Sequence, residues 1–443
     1  MNALDAFLRA ASVPRDTGHT SGTLDAAEAI LAANPELPAT SIHAAAALAE
    51  DGLVRRFISQ DAVSAIAHGG PYDWDPLTYL CFSRYLRLER SRSDRFVRTA
   101  RLLLDAGASA NTGWFENDHQ PKPEWESAIY GAAGIAHHAA LTRLLIGHGA
   151  NPNDEETPYH APETYDNAAL KVLVESGLLV DDSLGTMLLR KADWHDLDGI
   201  AYLLEKGVDP NRMTRFGYTA LHQALRRDNS LAIVEAMLDH GADPALPSRK
   251  DGLSGISIAA RRGRADALAA FARRGHAVDL DGLDALLAAC ARDDEAGIRS
   301  LANARPEVVH ELIAHGGTPL AEFAGNGNTA GVHRLLDLGV DVAARYETGD
   351  GYFGVAPRSN ALHVAAWRAR HETAAFLIER GAPVNARDAR GRTPLALAVL
   401  ACVDSYWMDR RSPESVAALL RAGASTEGVR FPSGYDEVDA LLS

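Results

Sequence analysis

The strongest constraint on this fold is a short phrase that occurs nine times along the 443 residues: an apolar pair followed within a few residues by glycine. Several copies, such as Leu377-Ile378…Gly381-Ala382, continue with alanine and then Asn or Asp. The glycines that end the nine segments are Gly107, Gly149, Gly177, Gly207, Gly241, Gly275, Gly339, Gly381 and Gly423. Successive glycines lie 42, 28, 30, 34, 34, 64, 42 and 42 residues apart, and 64 is two steps of 32. A period near the low thirties predicts a stacked repeat protein.

A second signature marks the start of each repeat. It reads Thr219-Ala220-Leu221-His222 and Thr393-Pro394-Leu395 in two copies, with Asn360-Ala361-Leu362-His363 as a looser version. Thr accepts a hydrogen bond from an unpaired N–H at a helix start, and Pro fits the first helical position. Small residues, a polar turn and a second helix with the apolar pair follow, and the final Gly supplies a left-handed C-cap. Each repeat is therefore predicted to be a helix–turn–helix unit.

These motifs resemble the ankyrin-repeat family, whose signature is Thr-Pro-Leu-His, then Ala-Ala, then Leu-Leu and Gly-Ala with a following Asn or Asp. The best copies are residues 217–243, 359–385 and 391–424. The resemblance covers nearly the whole chain and implies an all-α solenoid of helix–turn–helix units joined by β-hairpin-like fingers. Three degenerate copies without the glycine bring the count to about twelve repeats.

The ends of the chain are expected to differ from its middle, because the outer faces of terminal repeats meet water. We predict one continuous solenoid over residues 1–443. Residues 1–37 would form a degenerate N-terminal capping repeat with a first helix over 3–11. Residues 38–424 would hold the ankyrin repeats, and residues 425–443 a C-terminal cap with a short helix over 436–442.

Four insertions depart from the repeat length. Insertions in a solenoid form surface loops and often mark the binding face. Residues 111–127 and 344–358 extend two fingers, whereas residues 83–94 and 403–413 separate the two helices of a repeat. Finger insertions and inter-helix insertions are expected on opposite edges, so one compact partner would not touch all four.

Aromatic residues concentrate in the two finger insertions, and Trp and Tyr dominate interface hot spots. A partner-binding surface is predicted there, while the alternative is that the rings fold back over their own loops. The predicted contact residues in the fingers are Trp114, Phe115, Trp125, Tyr346, Tyr352 and Phe353.

An arginine-rich segment, residues 84–101, contrasts with the formal net charge of −15. Arg90, Arg92 and Arg95 are predicted to dock an acidic partner, with a solvated helix face as the alternative. A duplex-binding protein needs a basic face to release phosphate counterions. The excess of acidic over basic residues therefore predicts that nucleic acid is not a partner.

The remaining composition favours a cytoplasmic protein that is monomeric when free. No stretch approaches the ~18 apolar residues of a membrane helix, and the N-terminus has no secretory pattern. Cys81, Cys290 and Cys402 lie far apart, which favours a reducing compartment. Arginine outnumbers lysine 39 to 5, which suggests a GC-rich bacterial genome.

No catalytic, cofactor or metal site is predicted. The resemblance implies a structural imidazole, bonded within the turn, at His43, His160, His222 and His363. The adjacent pair His137-His138 lacks a third ligand at a zinc spacing. The run Asp193-Trp194-His195-Asp196 falls in a polar turn and is expected to be solvated.

The function predicted from these observations is a non-catalytic protein–protein interaction module that binds through a concave, finger-bearing face. It would act as an inhibitor or immunity-type partner. Two alternatives remain open: a scaffold or adaptor without inhibitory action, and an enzyme or small-ligand binder in which an insertion lids a concave-face pocket.

Overall fold

The computed structural model describes residues 2–13, 22–117, 120 and 122–443, which fall into two compact units, Met1–Ala220 and Leu221–Ser443. The α-helices of the first unit are α1 Ala3–Ala11, α2 Asp25–Ala33, α3 Leu37–Thr40, α4 Ile42–Ala47, α5 Asp51–Gln60, α6 Pro76–Cys81, α7 Arg84–Leu88, α8 Ser93–Asp105, α9 Ala128–Tyr130, α10 Ala139–Gly147, α11 Glu156–His160, α12 Ala168–Glu175, α13 Asp181–Asp193 and α14 Leu197–Glu205. The helix α15 Ala220–Arg226 crosses the boundary between the units.

The second unit continues with the same kind of helix pair. Its further α-helices are α16 Leu231–Asp239, α17 Gly255–Arg261, α18 Ala265–Arg273, α19 Gly282–Ala291, α20 Glu295–Ala304, α21 Pro306–His315, α22 Gly317–Asn326, α23 Thr329–Asp337, α24 Ala361–Trp367, α25 His371–Glu379, α26 Pro394–Val403, α27 Glu414–Arg421 and α28 Asp436–Leu442. The helices predicted over 3–11 and 436–442 are confirmed as α1 and α28.

Twelve consecutive helix pairs can be followed through the described residues, in agreement with the predicted number of repeats. The pairs are α1/α2, α4/α5, α6/α8, α9/α10, α11/α12, α13/α14, α15/α16, α17/α18, α19/α20, α22/α23, α24/α25 and α26/α27. The all-α fold class is confirmed. Short 3-10 helices lie at Ala62–Ile66, Arg90–Arg92 and Met408–Arg410, and a π-helical turn, Gly131–Ile135, continues α9.

Two insertions contain the described strands, and each forms an antiparallel pair. The strands are β1 Gly113–Glu116 with β2 Glu124–Ser127, and β3 Arg345–Tyr346 with β4 Ser359–Asn360. In two other fingers of the described residues, single bridges join Gly69 with Trp74 and Pro247 with Ser254. The predicted β-hairpin-like fingers are therefore most regular where the chain is longest.

The repeat-ending glycines adopt the left-handed conformation that their position requires. All nine have φ between 69° and 102°. At Gly241 an added Cβ would meet no atom within 4 Å, so backbone conformation and not crowding demands glycine there. The predicted C-caps are confirmed.

Two helix starts, those of α26 and α24, follow the predicted chemistry. Thr393 accepts a hydrogen bond from the Ala396 N–H at 3.2 Å, and Pro394 takes the first helical position of α26. Asn360 and His363 form a reciprocal capping box at the start of α24. First helices of the repeats also bury small residues; Ala44 to Ala47 of α4, for example, are fully buried, although Ser41 makes no side-chain capping bond there.

One degenerate repeat lacks a finger altogether. Helix α20 ends at Ala304, and α21 begins at once with Pro306. The similar run near residue 34 also leads within a few residues into a helix, α3. Without a left-handed glycine the chain turns through Asn34 and Arg305, which have φ of −141° and −136°. Among the described residues, none of the helices has the length and apolar content needed to span a bilayer.

Candidate functional site

The first finger insertion presents two chemically different faces. Its paired positions are Gly113 with Ser127, Trp114 with Glu126, Phe115 with Trp125, and Glu116 with Glu124. Successive side chains of a strand point to opposite faces. One face therefore carries Phe115 and Trp125, and the other carries Trp114 with three glutamates.

Phe115 and Trp125 form an aromatic pair at the surface. Their ring centroids lie 4.7 Å apart. The Phe115 side chain is 56% exposed, and Trp125 is half-buried. Two clefts lie beside the hairpin, and both rings line each of them. These two predicted contact residues are therefore accessible.

Trp114 is packed more deeply than predicted. Its ring centroid lies 5.2 Å from that of Trp74 and 5.9 Å from that of Phe82, and both neighbours are buried. Trp74 also stacks on Tyr72 with centroids 4.6 Å apart. Trp114 therefore extends an interior aromatic cluster.

Three carboxylates converge behind the hairpin. Oxygen atoms of Glu124, Glu126 and Glu156 all lie within 4.8 Å of one another, and Glu126 and Glu156 are buried. Carboxylate oxygens at such separations could hold a divalent cation. Sequence reasoning missed this cluster, because Glu156 follows Glu126 by thirty positions and only the hairpin register brings them together.

His160 lies beside the same cluster and contacts two carboxylates close to it in sequence. Its Nε2 lies 3.1 Å from Glu156 Oε2, and its Nδ1 lies 2.9 Å from Glu163 Oε2. Burial alone would lower the pKa of His160, but the bonds to Glu156 and Glu163 outweigh it and raise the pKa to about 9. The two carboxylates therefore favour the protonated form of His160.

The other three histidines of the repeat signature are structural, as predicted, and their rings also bond onward to the following finger, while His363 bonds within its own turn through the capping box with Asn360. Nε2 of His222 lies 3.0 Å from the Leu246 carbonyl, and Nε2 of His363 lies 3.2 Å from the Arg392 carbonyl. His43 contacts the Ala67 carbonyl at 2.7 Å in the same way. Each ring ties one repeat to the next.

The second finger insertion folds inward. Tyr346 and Phe353 are each 7% exposed, so the prediction that they offer exposed rings to a partner is wrong. The Tyr346 hydroxyl donates to Glu322 Oε1 at 2.8 Å. Tyr352 is 39% exposed, and the Arg227 guanidinium lies 3.8 Å from its ring centroid.

The insertion 344–358 reaches the insertion 403–413, which contradicts the expectation that they lie on opposite edges. The ring centroids of Phe353 and Trp407 are 5.9 Å apart. The Arg368 guanidinium lies between them, 4.3 Å from Phe353 and 4.8 Å from Trp407. Phe353 also packs in one cluster with Ala321 and Val364, because the insertion runs across α22 and α24 instead of projecting away from them.

Beneath this insertion lies a buried ionic network centred on Asp228. Its carboxylate accepts two bonds from Arg262, both 2.6 Å, and a third from Arg368 at 2.7 Å. Arg262 also contacts Glu322 Oε2 at 2.9 Å. Burial alone would raise the pKa of Asp228, but the two guanidinium groups hold it well below its usual range. Asp228 and Arg368 are 140 residues apart, so this contact spans several repeats.

A cleft of about 670 Å³ opens beside the network in the second unit. Its apolar floor includes Ile258 and Leu287. Its polar lining includes Arg226, Arg227, Arg261, Arg262, Glu322 and Tyr346. Burial raises the pKa of Glu322 above its ordinary value, although Arg262 opposes the shift.

The arginines of the segment 84–101 are engaged within the first unit. Arg90 donates to the Ala136 carbonyl at 2.9 Å, Arg92 to Glu89 at 2.6 Å, and Arg95 to Glu50. The bonds of Arg90 and Arg95 reach neighbouring repeats, whereas that of Arg92 stays within the insertion. A docking role for them stays a prediction.

Comparison with known proteins identifies the repeats. The family model described as ankyrin repeats (many copies) matches residues 188–238, and the model described as ankyrin repeat matches residues 359–389. Both segments contain a repeat-start signature and an apolar pair found from the sequence alone. The chain is an ankyrin-repeat protein. This placement supports a role as a protein-interaction module.

Two relatives align with parts of this ankyrin-repeat protein. Cyclin-dependent kinase 4 inhibitor B of Bos taurus is 36% identical over 84 residues, which are 19% of this chain and 63% of the relative. A putative ankyrin repeat protein of Rickettsia felis is 26% identical over 147 residues, which are 31% of this chain and 38% of the relative. The chain therefore spans less than two thirds of the length of either relative.

Two solved ankyrin repeat domains are also similar. The domain of human ASB11 has 22% sequence identity and a TM-score of 0.24, and the match covers 54% of this chain and 98% of that domain. The domain of Bcl-3 has 21% identity and a TM-score of 0.24, with 53% and 97% covered.

One inter-helix turn of the ankyrin-repeat protein is more ordered than expected. Asp196 caps α14 by accepting a bond from the Gly199 N–H at 3.0 Å, and Lys191 Nζ lies 2.7 Å from its Oδ2. Lys191 is fully buried. The expectation of a solvated Asp193–Asp196 run is therefore wrong, because Asp196 has a structural role at a helix start.

Proposed function

We propose that this ankyrin-repeat protein is non-catalytic and binds another protein through the concave, finger-bearing face of the first unit. The contact is centred on Phe115 and Trp125. The observation that supports it is the exposure of this aromatic pair on an insertion hairpin with a cleft on either side. Aromatic side chains with this accessibility dominate the energetics of many interfaces.

The structure of the second unit narrows the proposed surface. Tyr346 and Phe353 are used internally, so of the second finger only Tyr352 is a candidate contact. A partner that binds the first finger therefore does not need to span both insertions. We place the free protein in the cytoplasm as a monomer, where binding would block the partner's own active surface.

The test is capture of the native partner by the full chain and by a Phe115→Ala/Trp125→Ala variant. We expect at least about thirtyfold weaker capture, since hot-spot aromatics contribute ~2 kcal/mol or more. Phe431→Ala is a matched control, because Phe431 is 59% exposed in the second unit. Full capture by the folded double variant would exclude this hairpin as the interface.

An activity assay on the captured partner separates an inhibitor from a scaffold. Loss of the partner's activity at saturating concentrations of the ankyrin-repeat protein would support the inhibitory role. Unchanged activity together with recruitment of a third protein would support the scaffold or adaptor alternative.

The cleft of the second unit favours small-ligand binding as a second candidate function. The insertion 344–358 contributes Tyr346 and Asp350 to its lining, as expected if an insertion covers a concave-face pocket. A metabolite screen by thermal shift tests this alternative. A hit should depend on Arg226 and Arg261, whose side chains are 39% and 49% exposed, and should disappear when both are changed to Gln.

A further inference from the structure

The two clefts beside the β1–β2 hairpin combine aromatic walls with carboxylates. The first cleft lies between neighbouring fingers, and its lining includes Tyr72, Asp73, Trp114, Phe115, Glu116 and Trp125. The second lies on the other side of the hairpin, and its lining includes Phe115, Lys122, Glu124 and Trp125. Both clefts belong entirely to the first unit.

The charge of these clefts is predominantly negative. Asp73, Glu116 and Glu124 line them, against Lys122 as the one lysine or arginine among their described lining residues. Glu116 and Glu124 lie directly opposite each other in the hairpin. Like charges at such positions destabilise a strand pair.

The buried carboxylates behind the hairpin add to this negative potential. Glu126 and Glu156 approach Glu124 within 4.8 Å. Carboxylates therefore lie behind the hairpin as well as along its clefts.

The aromatic walls favour the same kind of ligand. The face of an aromatic ring attracts a guanidinium or ammonium group within about 6 Å of its centroid. The chain itself provides one example at this cleft, where the Arg9 guanidinium carbon lies 5.0 Å from the centroid of Tyr72. The exposed rings of Phe115 and Trp125 offer comparable surfaces to a second molecule.

We propose that the two hairpin clefts receive arginine or lysine side chains from an extended, basic segment of the partner protein. The proposal rests on the proposed function and names the chemistry of its partner. The net charge of −15 complements a basic partner over the whole molecule and would steer its approach. The two clefts lie on opposite sides of one narrow hairpin. An extended peptide segment that crosses the hairpin would therefore place one side chain in each cleft.

The test measures binding of labelled peptides to the full chain by fluorescence anisotropy. The probes are a Gly/Ser peptide with four evenly spaced arginines, its lysine counterpart and its glutamate counterpart. We expect binding of the two basic peptides, weaker at 200 mM than at 50 mM NaCl because salt screens exposed charges. The glutamate peptide should not bind.

Charge-neutralising variants locate the site. Glu116→Gln/Glu124→Gln should weaken binding of the arginine peptide about tenfold, which corresponds to ~1.4 kcal/mol. The matched control Glu205→Gln/Glu379→Gln removes the same net charge from two exposed positions elsewhere and should leave the affinity unchanged. Equal losses of affinity in the two variants would show that binding depends only on the net charge of the protein, and this would overturn the proposal.

Further outcomes separate this inference from the proposed function. The basic peptides could fail to bind while capture of the native partner still requires Phe115 and Trp125. That result would support the proposed interface but contradict the inference that the partner inserts arginine or lysine side chains. Binding of the glutamate peptide with equal affinity would also overturn the inference. If calcium alone binds and millimolar calcium displaces the arginine peptide completely, the carboxylates form a metal site and the peptide proposal fails.

Discussion

At the scale of single residues, several repeats contain left-handed backbone at two kinds of position. The repeat-ending glycines adopt it without strain, whereas several inter-helix turns use residues with a Cβ. Examples are Ala49 with φ of 55° and Ala369 with φ of 51°. A side chain in this region costs about 1 kcal/mol relative to glycine. The two classes of position therefore respond to substitution in opposite directions.

Gly241→Ala should lower the free energy of unfolding by about 1 kcal/mol, although its Cβ would meet no neighbour. Ala49→Gly should leave stability unchanged or raise it by a few tenths of a kcal/mol, because relief of strain offsets the added freedom of the unfolded chain. Urea denaturation of both variants measures the difference. Equal destabilisation by the two changes would mean that packing, and not backbone conformation, governs these positions.

Buried histidines make stability depend on pH. Burial lowers the pKa of His363 to about 4, even though its bond to the Arg392 carbonyl opposes the shift. The unfolded side chain has a pKa near 6.5, so between these values the unfolded chain binds more protons. Stability should therefore fall as the pH drops from 6.5 toward 4, by up to about 1.4 kcal/mol per pH unit from this residue. Denaturation midpoints of wild type and His363→Gln across this range measure the effect, and parallel curves would contradict it.

At the scale of elements, a length anomaly in the sequence identified the insertions but not their course. The residues 344–358 contain glycines and aromatics that also suit an exposed finger. Their inward path depends on partners that follow or precede them at a distance, among them Trp407 and Ala321. By contrast, repeat boundaries and caps could be predicted because they depend on residues within a few positions of one another.

The same distinction explains the candidate site. Phe115 and Trp125 were found from composition and insertion length. The acidic cluster was missed, because the hairpin register that brings its three glutamates together cannot be read from the sequence. The Asp228 network was missed for the same reason: its four charged members come from four separate repeats.

Adjacent aromatics of the second insertion should have very different effects on stability. Phe353→Ala removes a buried ring that packs against Arg368 and Trp407, and should cost about 3 kcal/mol of unfolding free energy. Tyr352→Ala removes a ring that is 39% exposed and should cost less than about 1 kcal/mol. Chemical denaturation of the two variants is the measurement. Similarly small losses of unfolding free energy in the two variants would mean that Phe353 behaves as an exposed residue and not as a packed one.

At the scale of the whole chain, contacts between nearest neighbours explain most of the stacking, as expected for repeat proteins. The Asp228–Arg368 bond is an exception, because it joins residues 140 positions apart within the second unit. Removing one partner of a buried ion pair is strongly destabilising, since it leaves the other charge uncompensated. Stability of the second unit should therefore depend on residues that adjacent repeats alone do not supply.

A truncation separates local from long-range stabilisation. A fragment that ends at Gly241 retains the first unit and the α15/α16 pair, and should remain soluble and helical by circular dichroism.

In the full chain, Asp228→Asn should cost about 3 kcal/mol or more of unfolding free energy, because Arg262 and Arg368 lose their shared carboxylate. Asparagine tolerates the φ of 49° at this position, so backbone strain does not contribute. The same substitution in the fragment, which lacks both arginines, should change stability by less than about 0.5 kcal/mol. A comparable loss in both contexts would show that Asp228 acts within its own repeat, and the long-range account of the second unit would then be wrong.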